Sequence, residues 1–118
     1  MEYNGKKIGF RRTTGAMRDL AKLAPEGDVN RFTEIFNEKN LGASIDGGAQ
    51  FLAILNEWYE KALAFENPGY TPDPVPVDFF LMLEMDDFTE VFNEALAQFM
   101  EDDKTTVQSE PVKDKKND

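Results

Sequence analysis

The chain of 118 residues predicts a mainly α fold: a compact bundle of about four to five helices, with a short N-terminal β-hairpin and a disordered C-terminal tail. Three observations carry this. Apolar residues recur at i, i+3 and i+4 through most of the chain, the spacing that lines one face of a helix. The signal for strands is confined to the first ten residues, where Asn4-Gly5 separates two short extended runs. Beyond Asp102 the aromatics vanish and charged and polar residues dominate, a composition too poor in apolar surface to order itself. At this length one domain is expected, here residues 1–102, followed by the tail at 103–118.

The hairpin spans Tyr3 to Phe10. Asn-Gly supplies the positive-φ positions of a tight turn, and Ile8, Phe10 and Arg12 then alternate on one side of the returning strand. Thr13-Thr14 offers a hydroxyl cap for a first helix over Gly15–Ala24, with Met17, Leu20 and Ala24 on its inner stripe and Pro25 and Gly27 as its stop. Asp28 caps a second helix to about Lys39, seamed by Val29, Phe32 and Phe36. The stretch from Gly42 to Gly48 predicts a turn into the longest helix, about Gly48–Phe65. Its apolar residues cover most of its circumference, as in a central helix contacted on several sides. Pro68, Pro72, Pro74 and Pro76 make 66–76 an extended connector. Asp78 caps a short helix through Met85, and Asp86-Asp87 restart one to about Met100 with Phe88, Val91, Phe92, Ala95, Leu96 and Phe99 as its stripe.

Composition excludes several chemistries. The chain has no Cys and no His, so it has no disulfide, thiolate nucleophile, imidazole base or Cys/His zinc site. Its formal charge of −10 argues against phosphate-backbone binding. The charge is uneven: six bases and two acids in residues 1–24 give +4, leaving −14 for the remainder. A basic head on an acidic body suits head-to-tail self-association or an oppositely charged partner, and equally an ordinary solvated surface. No apolar run reaches the roughly 20 residues of a membrane span, and the first residues lack a signal-peptide core, so cytoplasmic residence is expected.

The densest carboxylate group is Glu84, Asp86, Asp87, Glu90 and Glu94. Such oxygens suit Mg²⁺. Acids in a helix's first turn are better explained by the positive end of its dipole, and no metal is expected. The glycines at 42, 47 and 48 match no nucleotide-binding spacing, and no cofactor or catalytic residue is expected. Residues 32–38 (FTEIFNE) and 88–94 (FTEVFNE) nearly repeat, but the match does not extend into the flanks. Two ordinary amphipathic helices explain it better than a duplicated binding element.

The hairpin with N-G-K-K, the run F-R-R-T-T-G-A-M-R-D-L from Phe10 to Leu20, the central apolar helix and the late F-T-E-V-F-N-E-A-L-A-Q-F helix together resemble the phage tail assembly chaperones, over about residues 1–100. The resemblance implies a small, mostly helical, non-enzymatic protein without catalytic residues. It further implies binding to the tape measure protein, recruitment of tail tube subunits, action in the bacterial cytoplasm, absence from the finished virion and, in many members, a longer frameshifted form. The residues are compatible with that role, because a chaperone needs apolar grooves together with solubilising charge. Phe32, Phe36, Trp58, Tyr59, Phe88 and Phe92 are the candidate partner-binding residues. The competing reading is an acidic inhibitor that mimics nucleic acid, motivated by the −14 body.

Overall fold

A computed structural model of the chain describes residues 1–3, 5–27 and 41–108, with the backbone alone at 25 and 102–108. The expected helix from Asp28 to Lys39 lies outside the described residues, and so does the expected tail from 109 onward.

The fold is mainly helical with an N-terminal hairpin. Strands β1 (Glu2–Tyr3) and β2 (Lys6–Lys7) pair antiparallel, Glu2 opposite Lys7 and Tyr3 opposite Lys6. Gly5 takes the positive φ of +80° that the tight connection requires. The expected strand through Arg12 stops at Lys7: Ile8 N–H still donates across the hairpin to Met1 C=O at 2.7 Å, but beyond it the backbone bonds to a helix. Gly9 C=O accepts from the Asn56 amide at 2.9 Å, and Arg11 N–H donates to Leu55 C=O at 3.1 Å.

Helix α1 (Thr14–Ala21) starts where expected. Thr13 Oγ1 accepts from Ala16 N–H at 3.0 Å, satisfying one of the donors a helix start leaves open. It buries Ala16 and Leu20 and is followed by a single 3₁₀ turn, Pro25–Gly27.

Helix α2 (Leu41–Glu66) is the central element, packed by α1 on one side and by α3 (Val77–Leu81) and α4 (Met85–Gln108) on others. It begins at Leu41, so the turn expected over Gly42–Gly48 is helical. Glycine costs about 1 kcal/mol in a helix interior, but at Gly48 packing decides. A Cβ at Gly48 would lie 3.3 Å from Phe88 Cζ and 3.4 Å from Phe92 Cε1, so this glycine lets two rings approach the backbone. Helix α3 is capped by Pro76 without a side-chain bond, and Asp78 sits in its first turn and not at its cap. Helix α4 continues to Gln108, beyond the expected end at Met100, so residues 103–108 of the tail expected at 103–118 are helical.

The core joins Ile8 and Phe10 of the N-terminal segment, Ala16 and Leu20 of α1, Phe51, Leu52 and Leu55 of α2, Phe80 of α3 and Phe88, Val91, Ala95 and Phe99 of α4. Phe51 is the aromatic hub, edge-on to Phe92 at 5.8 Å and to Phe99 at 5.4 Å between centroids. No helix among the described residues is long and apolar enough to cross a membrane.

Candidate functional site

Helices α2 and α4 meet at their N-terminal ends through matching faces. Leu41, Ser44, Ile45 and Gly48 of α2 lie at i, i+3, i+4 and i+7, and Met85, Phe88, Thr89 and Phe92 of α4 repeat that spacing. Between them runs an apolar groove of about 180 Å³. Its floor is the Phe88–Phe92 pair, nearly parallel with centroids 6.3 Å apart, resting on Gly48. Its lips stay in solvent: Leu41 is 68% exposed and Met85 54%, and nearby Met82 is 83% exposed and Leu81 42%. Large apolar side chains left in water beside an apolar groove are the physical mark of a surface that gains by being covered.

Charge adds direction. Between Lys61 and Lys104 the chain holds eleven Asp or Glu and no Lys or Arg, so α3 and α4 up to Glu101 carry acidic side chains and no basic one. Asp86 and Glu90, both exposed, follow the groove residues Met85 and Thr89 on α4. Among the described residues no three acidic side chains are placed to hold a metal ion.

Two wider recesses exist. One, of about 560 Å³, lies between α2 (Gln50, Ala53, Ile54, Glu57) and residues 74–77. Its apolar residues are largely half-buried, and Glu57 pairs with Lys61 at 2.9 Å. The other, of about 450 Å³, lies between β1 and α4 and carries Glu2, Asp87, Glu90 and Glu94. The smaller α2–α4 groove differs from both in having a strongly exposed apolar side chain on each lip, Leu41 on α2 and Met85 on α4.

The candidate aromatics fall into two groups. Phe88 and Phe92 line the groove. Trp58 and Tyr59 are half-buried on the far part of α2 and engaged within the chain. Trp58 Nε1 donates to Asp19 Oδ2 at 2.8 Å, and the cations of Lys61 and Arg18 stand 4.3 and 5.7 Å from its ring centroid. A Cβ at Gly15 would fall 2.4 Å from the indole, and one at Gly9 2.4 Å from the Tyr59 ring. Phe32 and Phe36 lie outside the described residues.

The basic head is tied to the acidic body. Lys6 pairs with Asp73 at 2.8 Å and Arg11 with Glu66 at 3.0 Å, while Arg18 and Lys22 share Asp19 at 3.1 and 3.8 Å. The Trp58 N–H, together with these two cations, holds the Asp19 carboxyl below its ordinary range.

The sequence reading missed Leu41 and Met85 as groove residues. Leu41, Ile45 and Gly48 already carry helical spacing, but the neighbouring glycines masked it. No protein-family model, curated protein or solved structure matches this chain.

Proposed function

We propose that the chain is a non-enzymatic phage tail assembly chaperone, which binds the tape measure protein through the α2–α4 groove and helps recruit tail tube subunits. The resemblance of the Phe10–Leu20 junction and the late α4 motif motivates this reading. The observation that carries it is the groove, where exposed Leu41 and Met85 flank the half-buried Ile45 and Phe92 and the buried Phe88 on a strongly acidic helical body. A strip bounded by two helices suits an amphipathic helix laid between them, as in other helix-in-groove complexes. The surrounding negative charge keeps a complex with an aggregation-prone partner in solution.

Co-expression with the tape measure protein encoded beside it tests the reading. The expected outcome is more soluble tape measure protein and its co-purification with this chain; unchanged solubility overturns it. The competing reading, an acidic mimic of nucleic acid, draws on the same stretch without bases between Lys61 and Lys104. It predicts salt-sensitive binding to a DNA-processing enzyme. The exposed Leu81, Met82 and Met85 weigh against it, because mimicry of a phosphate backbone calls for carboxylates without an apolar ridge among them.

A further inference from the structure

The identity of the groove's occupant follows from its surroundings. A second copy of this chain is a poor fit. Face-to-face pairing would bring together two α4 helices whose stretch from 85 to 103 contains Asp86, Asp87, Glu90, Glu94, Glu101, Asp102 and Asp103 and no base. Like charges opposed across an interface work against association. An acidic partner meets the same repulsion. A neutral apolar helix would cover the strip but gain nothing from the negative field of the base-free α4 stretch.

We infer that the groove selects a cationic amphipathic helix, with apolar residues at i, i+3, i+4 and i+7 that cover the Leu41–Met85–Phe92 strip and Lys or Arg beside that stripe. The inference rests on the groove being the partner-binding surface and specifies the partner's chemistry. The apolar stripe seats between α2 and α4, over Phe88 and Phe92. The flanking cations meet Asp86, exposed on α4 next to the groove residue Met85, while Glu90 lies toward the recess between β1 and α4 and adds only to the general negative field.

Two synthetic helical peptides with the same Leu/Met stripe, one flanked by Lys and one by Glu, test this by fluorescence anisotropy against the full chain. The Lys peptide is expected to bind and the Glu peptide not, with affinity falling as salt rises from about 0.05 to about 0.5 M. Met85→Asp separates groove binding from diffuse attraction, because it adds negative charge while removing an apolar contact. It also places an acid at the first residue of α4, where the helix dipole favours one, so the fold is retained. Its expected effect on the Lys peptide is a loss of about tenfold or more. Leu41→Gln, which changes no charge, should weaken binding in the same direction.

Equal binding of both peptides, no binding of either, or Lys-peptide binding that Met85→Asp leaves unchanged or strengthens would each overturn the inference. So would a dimer in solution that Met85→Asp dissolves. Solubilisation of the tape measure protein without discrimination between the peptides would leave the chaperone reading standing and remove this one. Discrimination without solubilisation would do the reverse.

Discussion

Asn56 and Glu60 stand one turn apart on α2, exposed by 0% and 1%, and together they hold two non-helical segments against that helix. Asn56 donates to Gly9 C=O at 2.9 Å and accepts from Val75 N–H at 2.9 Å. Glu60 Oε1 accepts from the Tyr70 hydroxyl and, at 3.0 Å, from Asp73 N–H. The alternation Pro72-Asp73-Pro74-Val75-Pro76 fits this arrangement. Residues 73 and 75 keep the N–H groups that α2 requires, while the intervening prolines, which have none, are exposed.

Removing the Asn56 amide therefore leaves a buried carbonyl and a partly buried N–H without partners. Asn56→Leu, close in volume, should destabilise the chain by about 2–4 kcal/mol, since each unsatisfied buried group costs about 1–3 kcal/mol. Urea unfolding followed by circular dichroism measures it. A loss under about 1 kcal/mol would mean that the N-terminal segment and the connector are held by other contacts.

Tyr70 reports on the other half of this clasp. Its hydroxyl donates to the Glu60 carboxylate, and ionising it would set a phenolate against that carboxylate, so its pKa is pushed up from 10.0 to about 12. The proton is held more tightly in the folded chain than in the unfolded one. The associated stabilisation is complete below the unfolded pKa and is lost as the pH rises through the folded one. Tyrosinate absorbance should show one late transition near 12 among the three tyrosines, abolished by Tyr70→Phe. A late step that survives in the variant would assign it elsewhere.

Gly15 is a space requirement, with nothing to do with turn chemistry. An added Cβ would sit 2.4 Å from the Trp58 ring, which is only half-buried and so can yield outward. Gly15→Ala should push the indole off Asp19, shift the fluorescence of the single Trp to the red and destabilise the chain by about 1–3 kcal/mol. In combination with Trp58→Leu most of that penalty should disappear, because the two residues share one contact. Additive penalties would place the strain elsewhere.

How far the sequence could be read depended on the kind of information each element carries. The Thr13 cap, the Asn4-Gly5 connection and the Phe88–Phe99 stripe are local patterns, and the described parts of all three stand where the residues put them. The start of α2 is not local. Gly42, Gly47 and Gly48 favour a turn by propensity, and only the rings of Phe88 and Phe92, forty residues on, show why glycine stands at 48 within a helix. The groove was half legible for the same reason: Phe88 and Phe92 belong to a helical stripe visible in the residues, whereas Leu41 and Met85 mark helix starts that packing decides. Asn56 and Glu60 share their apolar run with Glu57 and Lys61, another polar pair one turn apart, so nothing local marked them as the buried pair. Their partners, at Gly9, Tyr70, Asp73 and Val75, belong to distant segments that no periodicity links.

Asp19 gives the acid counterpart. Its carboxylate accepts from the Trp58 indole N–H and then faces Arg18 at 3.1 Å and Lys22 at 3.8 Å, contacts that favour the charged form and lower its pKa from 3.8. The unfolded chain binds this proton more readily than the folded one. The contribution is therefore fully present above the unfolded pKa and is lost as the pH falls through the folded value. Asp19→Asn keeps an oxygen for the indole but removes the charge. It should be less stable than the parent near neutrality by about 1 kcal/mol, the difference between a charge-assisted and a neutral hydrogen bond. The two proteins should converge as the pH drops below 3.8. Urea midpoints across that range, read by Trp58 fluorescence, decide it: a constant gap at every pH would show that Asp19 acts through shape alone, with its charge contributing nothing to the fold.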